Sequence, residues 1–368
     1  MARDPAKPAL AGLVPYEPGK PVEEVQRELG LERVVKLASN EGQFGPFPAA
    51  LAALEQGLPK LNRYPDGGAW RLVQGLAAKH GVEPTNVAIA AGADAIITYL
   101  CLATLDPGDE VVFGWPSFAS YPLATIKMGA TPVRVPLTEH RYDVERMLGA
   151  ITARTRIVFL CNPNNPTGTM ITRDEVEAYF AAVPDHVLTV LDEAYFEYID
   201  APDYPDGIEE HMKAGRHLLV LRTFSKIYGL AGLRVGYGVG QREIVDAIKK
   251  VRNAFDVTQA AQDAAVASLG DDAELVRRRA YNAESRARLL ELCAGLELKL
   301  APRPVANFVY AEVGEDARPV FDALLREGVI VRPLASFGAP GAIRVTVGTK
   351  EENELFAQAF GRVTALAG

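Results

Sequence analysis

The chain has 368 residues, 48% of them hydrophobic, enough to bury one large core or two moderate ones. Its net charge of -8, with no compensating run of Lys or Arg, argues against nucleic acid or an anionic membrane as partner. Cys101, Cys161 and Cys293 are odd in number and lack CxxC spacing, and the five histidines form no HExxH, so neither a disulfide framework nor a metal centre is indicated.

The first residues, MARDPAKPALAGLVPYEPGK, lack the apolar core of a signal peptide, and no run of 18 apolar residues follows, so the cytoplasm is the expected compartment. Residues 1 to about 35 are Pro-rich and irregular, ending in a short amphipathic piece, Val22 to Leu29; they read as an arm that packs on something else. KLASNEGQFGPFP, with Asn40 and Glu41, is a loop by composition. Pro48 to Leu58 reads as a helix, and LNRYPDGG after it as a second loop with Tyr64 at its centre. From residue 70 helices and strands alternate. Helix Trp70 to His80 leads to strand Val87 to Ala90, then Gly92-Ala93-Asp94, then the apolar helix Ala95 to Leu105. Strand, small-residue turn and helix in that order present backbone N–H groups to an anion. Asp94 also reads as an ordinary N-cap.

Strand Val111 to Trp115 is followed by Pro116-Ser117-Phe118, a helix to about Lys127, and strand Pro132 to Pro136. Strand Arg156 to Leu160 empties into CNPNNPTG, which carries Asn165. Thr172 with Glu175 reads as a capping box opening the next helix, to Ala182. Strand Val187 to Leu191 ends in Asp192-Glu193-Ala194-Tyr195. The run His217 to Leu221 delivers Arg222-Thr223-Phe224-Ser225-Lys226, and strand Arg234 to Val239 follows too closely for a crossover helix, so it should run antiparallel. After helix Gln241 to Val251 comes the long charged helix Ala273 to Cys293, a connector to a second unit. That unit has strands Glu297 to Leu300, Asn307 to Val313, Val329 to Arg332 and Ile343 to Val347, and helices from Arg318 and Lys350. This pattern predicts an α/β fold: a mainly parallel sheet with helices on both faces, plus a smaller α+β C-terminal part.

In such a sheet ligands bind beyond the carboxyl ends of the strands, and Asp94, Phe118, Asn165, Asp192, Tyr195 and Lys226 should converge there. At its ordinary pKa only roughly one lysine in 2,500 is neutral at pH 7, so an amine nucleophile at Lys226 needs burial or a neighbouring cation, for which Arg234 is placed. A lysine amine, an anion-shaped helix terminus, an aromatic ring, an aspartate and a tyrosine at one edge suit pyridoxal phosphate.

The motifs NPNNPTG, DEAY and RTFSKIYGLAGLRVGY resemble those of the fold-type I pyridoxal-phosphate aminotransferases. LVPYEPGKPVEEVQRELG, KLASNE, LNRYPD and IRVTVGT narrow the likeness to the histidinol-phosphate aminotransferase family, from about Val14 to Glu352. The resemblance implies a seven-stranded large domain over residues 41–255, an N-terminal arm over 1–40 and a small domain over 256–368. It makes Lys226 the Schiff-base lysine and Asp192 the partner of the pyridine nitrogen. Tyr195 and Asn165 would bond the ring hydroxyl and Phe118 would stack on the ring. Pyridoxal 5'-phosphate would be held through its phosphate by the amides of Ala93 and Asp94, by Thr223, Ser225 and Arg234, and by Tyr64 from the other subunit of a homodimer. Arg344, with Asn40 beside it, would clamp the substrate, and Tyr16 and Arg332 would lie near its distal group.

The family's reaction moves an amino group from L-histidinol phosphate to 2-oxoglutarate, a step of histidine biosynthesis. NEGQFGPFP and DEVVFGWPSFASYP also resemble a branch acting on phenylalanine, for which Trp115 and Phe44 would line an aromatic pocket. A threonine-phosphate decarboxylase-like lyase shares the same scaffold, and so would a regulatory protein that kept the fold.

Overall fold

The computed structural model describes residues 6–15 and 18–367, with side chains to residue 365; Tyr16 lies outside the described residues. In chain order the strands are β1 (Val35–Lys36), β2 (Val87–Ala90), β3 (Glu110–Trp115), β4 (Thr131–Pro136), β5 (Thr155–Cys161), β6 (Leu188–Asp192), β7 (Leu218–Thr223), β8 (Gly236–Gly240), β9 (Lys299–Leu300), β10 (Phe308–Glu312), β11 (Val329–Ile330), β12 (Arg332–Leu334) and β13 (Ala339–Thr346). Seven of them form one sheet in the order β2-β8-β7-β6-β5-β3-β4.

The central strands are continuous apolar runs such as IVFL in β5 and LLVL in β7, as a sheet with helices on both faces requires. The edge strand β4 is largely solvent-facing and carries Pro132 and Pro136, residues that an interior ladder would not accept. Twelve residues separate β7 from β8, with only a 3-10 turn, Ala231–Leu233, between them. So short a connection cannot cross the sheet, and β8 runs antiparallel to both neighbours, as the spacing predicts. The pairs β3/β4, β3/β5, β5/β6 and β6/β7 are parallel.

Thr172 and Glu175 close the expected capping box on helix Arg173–Ala182. Helix Ala93–Thr104 starts two residues before the expected Ala95, and its N-cap is Gly92, at φ 92°, not Asp94, which lies in the first turn. The expected single strand Val329 to Arg332 is two: β11 pairs parallel with β1, and β12 pairs antiparallel with β13. Helix Gln259–Ser268, absent from the sequence reading, packs Ala261, Ala264 and Ala265 into the larger core.

Strands β12-β13-β10-β9 make the second, antiparallel sheet. Its core gathers Val25, Val35, Leu37 and Ala38 from the N-terminal stretch together with Leu289, Val309, Ile343, Val345 and Phe356. The larger core takes residues from Phe47 to Phe308. Between the two lies a cavity of about 190 Å³. Among the described residues no helix is long and apolar enough to cross a membrane.

Candidate active site

The cavity opens at the carboxyl edge of the large sheet. β6 ends at Asp192, β7 at Thr223 and β5 at Cys161, and helix Ala93–Thr104 points its N-terminus inward; Ala93, Asp94, Phe118, Asn165, Asp192, Tyr195, Thr223, Ser225, Lys226 and Arg234 all line the space. The second sheet closes it with Arg332 on β12 and Arg344 on β13, joined by Phe337 from the turn between them and by Asn40. One cavity therefore holds every sequence-predicted site residue except Tyr16, which is not described, and Tyr64. Tyr64 is 82% exposed and stacks on Phe255, with ring centroids 4.6 Å apart.

Lys226 reaches in from the loop after β7, where its Nζ donates to the Ser39 carbonyl at 3.4 Å and stands 5.4 Å from the Tyr195 ring. Enclosure by protein atoms, with the guanidinium groups of Arg344 and Arg234 nearby, brings its ammonium down to about 7 against the pull of Glu41 and Asp192. About half of the amine is then neutral at pH 7, a gain of roughly a thousandfold over a free lysine.

Asp192 is 4% exposed. Burial raises its pKa, opposed by a hydrogen bond from Tyr121 Oη to Oδ2 at 2.7 Å and one from the Ala194 amide to Oδ1 at 3.2 Å. Asn40 Nδ2 donates to Tyr195 Oη at 2.9 Å, which leaves the phenol proton to be donated to a ligand. Burial holds that phenol well above its ordinary pKa, so it stays a donor. Asn40 is fixed in turn, at φ 53°, by Thr346 Oγ1, which donates to its Oδ1 at 3.1 Å.

The anion cradle is built by close approach. Gly92, at φ 92°, holds a backbone that favours glycine, and a Cβ there would stand 2.6 Å from Arg234 Nη2 and push that guanidinium aside. A Cβ on Gly236 would collide with the Ala93 amide nitrogen, so only glycine lets β8 run beside the helix terminus. Arg234 Nη1 reaches Ser225 Oγ at 3.4 Å, and the Ser225 amide donates to Thr223 Oγ1 at 3.1 Å. Backbone N–H groups, two hydroxyls and a guanidinium around one space are the donor set a phosphate needs.

Arg344 is pinned on two sides, by the Asn165 side-chain carbonyl and by the Ala38 carbonyl, the latter at 2.7 Å. The guanidiniums of Arg332 and Arg344 each lie 5.5 Å from the Phe337 ring, which holds both cations in the cavity wall. Neither Trp115 nor Phe44 lines the cavity. Trp115 packs on Gly338 and carries Arg134 over its ring at 5.1 Å, while Phe44 lies edge-on to Tyr281, centroids 4.9 Å apart. Sequence reasoning missed Phe337, Cys161 and Tyr121. Tyr121 was within reach, since it lies three residues after Phe118 at the start of a helix. Phe337 sits in a 3-10 turn with no periodicity to mark it.

A lysine amine near half-neutral, a buried carboxylate, an anion cradle and two buried arginines at one sheet edge define an α/β enzyme that works through an amine on an anionic ligand. The chain belongs to the aminotransferase class I and II family, whose pattern matches residues 32–360. A histidinol-phosphate aminotransferase from Moorella thermoacetica is 46% identical over 358 residues, covering 97% of this chain and 92% of its own length. Histidinol-phosphate aminotransferase 2 from Carboxydothermus hydrogenoformans is 47% identical over 350 residues, covering 95% and 96%. Among solved structures, histidinol-phosphate aminotransferase from Sinorhizobium meliloti in complex with pyridoxal-5'-phosphate matches with a TM-score of 0.89 at 30% identity, over 100% of this chain and 99% of that one.

Proposed function

We propose that this enzyme transfers the amino group of L-histidinol phosphate to 2-oxoglutarate, giving L-glutamate, with pyridoxal 5'-phosphate as cofactor and as a homodimer. Bound in the cavity, the cofactor supplies an electron sink for the pair left behind when the carbon next to the substrate nitrogen loses its proton. The residues present suit it. Lys226 Nζ, held near neutrality, would attach the cofactor and carry that proton. Asp192 would keep the ring nitrogen cationic, Asn165 and Tyr195 would direct hydrogen bonds at the ring hydroxyl, and Phe118 would pack on the ring. The amides of Ala93 and Asp94 with Thr223, Ser225 and Arg234 would take the phosphate.

The observation that carries the substrate reading is the pair of buried arginines, Arg332 and Arg344, 6% and 4% exposed, in the same cavity as Lys226. Two guanidiniums exceed what the single carboxylate of phenylalanine needs. In the half-reaction with the amino donor they suit a phosphate dianion; the two carboxylates of 2-oxoglutarate would meet the same pair whichever donor is used. The relatives' names point the same way, and neither Trp115 nor Phe44 supplies an aromatic wall.

The homodimer reading rests on Tyr64, which stands away from its own chain's cavity and would complete that of the partner. The test of function is kcat/KM for histidinol phosphate against phenylalanine, each with 2-oxoglutarate, on cofactor-loaded enzyme. A preference of a hundredfold or more for histidinol phosphate is expected, on the order of 3 kcal/mol from one added charge-assisted contact. Equal or better turnover of phenylalanine would overturn the reading.

A further inference from the structure

Tyr121 lies outside the cavity lining, yet it touches two of the groups on which the site depends. It stands near the start of helix Ser120–Lys127 with no exposed surface. Its ring stacks on Phe159, centroids 4.4 Å apart and planes 12° from parallel, and meets Phe118 edge-on at 5.7 Å. These contacts leave the ring one position. Its hydroxyl is thereby aimed at Asp192, where it makes the one side-chain hydrogen bond that this carboxylate receives among the described residues, at 2.7 Å.

We propose that Tyr121 is the positioning residue of Asp192: its hydroxyl fixes one carboxylate oxygen, so that the buried anion is held in place and presented to the cationic ring nitrogen of the cofactor. The inference rests on the reading of the cavity as a pyridoxal-phosphate site. A buried carboxylate without donors tends to take up a proton, and a neutral carboxyl cannot hold a pyridinium charge. The other charged groups facing Asp192 pull in opposite directions. Asp94, on helix Ala93–Thr104, opposes its ionisation and Lys226, on the loop after β7, favours it. Cys161, at the end of β5, has its thiol pushed up to about 12 by burial, and the phenol of Tyr142 is also pushed well up, so both remain neutral beside the pair. Burial and the Asp192 charge push the Tyr121 phenol well up too, so it donates its proton without surrendering it. The Ala194 amide alone, at 3.2 Å, is a weaker second anchor.

The test is a cycle of Tyr121→Phe, Asp192→Asn and the double variant, all made cofactor-free and titrated with pyridoxal phosphate between pH 5.5 and 8.5. Tyr121→Phe keeps the ring and removes one oxygen. The expected result is a cofactor affinity lowered about tenfold, with the acid limb of binding displaced to higher pH by about one unit, and kcat reduced more than KM is raised. In the Asp192→Asn background the same change should alter affinity less than twofold. Inorganic phosphate, read by its competition with the cofactor, should bind all four proteins alike, since the cradle at Ala93 and Arg234 is untouched. An equal loss in both backgrounds would make Tyr121 a packing residue and overturn the proposal, as would a loss of phosphate binding. Failure of the unaltered protein to bind pyridoxal phosphate would instead bring down the cofactor reading, and the inference with it.

Discussion

At the scale of single residues the site sets opposed charges and burial against one another, and Lys226 shows it best. Its ammonium is destabilised by burial and by Arg344 and Arg234, and is held near 7. An unfolded chain keeps this proton up to about pH 10.4, so between pH 7 and about 10.4 the unfolded state binds more protons and stability rises with pH. Below about pH 7 the folded protein carries the full penalty. Lys226→Met, which keeps the length and removes the charge, should therefore abolish transamination and yet stabilise the cofactor-free protein. The expected gain is about 1–3 kcal/mol at pH 6, less than the full shift implies because part of the side chain faces the water of the cavity, and it should fade towards pH 10. Thermal unfolding at pH 6 and pH 9.5 checks it, and an equal gain at both would sink the assignment. The same residue was legible in the sequence, because an apolar strand emptied into Arg222-Thr223-Phe224-Ser225-Lys226. Arg344 as its strongest electrostatic neighbour was not, since 118 positions separate the two in the sequence and only the packing of the second sheet unites them.

At the scale of elements, what the sequence disclosed were features carried by local chemistry. The capping box Thr172/Glu175, the buried runs of β5 to β7 and the short connection that forces β8 antiparallel each depend on fewer than about twenty neighbouring residues. What it concealed depends on distant partners. β11 stops at Ile330 because β1, from the N-terminal stretch, supplies only two residues to pair with, and Pro333 has no N–H for a continuous ladder in β12. Helix Gln259–Ser268 buries three alanines with Gln262 and Ser268, so no strong apolar stripe marked it. The anion cradle is the element-scale device with the sharpest test. Gly236 pairs with Ala90 on β2 and Thr223 on β7, and its missing side chain leaves room for the Ala93 amide. Gly236→Ala should push the helix terminus away from the sheet, lower stability by about 1–3 kcal/mol and weaken pyridoxal phosphate and inorganic phosphate together. Gly232→Ala, where nothing lies within 4 Å of the added carbon, is the control and should leave both affinities unchanged. Parallel behaviour of the two variants would place the cradle elsewhere.

At the scale of the whole molecule, helix Asp272–Gly295 ties the two cores to the site. Near its start Arg278 donates to the Gly45 carbonyl at 2.7 Å and the Ile227 carbonyl at 3.0 Å, fixing the residue after Lys226 against the loop after Asn40. Further along, Arg286 bonds Asp200 and the Val305 carbonyl, and Leu289 and Cys293 enter the second core. The helix is thereby bonded or packed to segments on both sides of the cavity; the stretch from Leu51 to Trp70 is different. Leu51, Leu58, Leu61, Tyr64 and Trp70 are 47%, 60%, 59%, 82% and 65% exposed. So much exposed apolar surface in one stretch suits burial against a second copy of the chain. If Tyr64 completes the partner's cavity, two inactive variants should repair each other. In a mixed dimer of Tyr64→Ala and Lys226→Ala, one cavity takes the intact Lys226 of the first chain and the intact Tyr64 of the second, while the other cavity carries both defects. Random reassociation makes half of the dimers mixed, so an equal mixture should recover roughly a quarter of the unaltered activity. If Tyr64 served its own chain's cavity, no combination would contain an intact site and mixing would recover nothing. Activity measured before and after subunit exchange distinguishes the two.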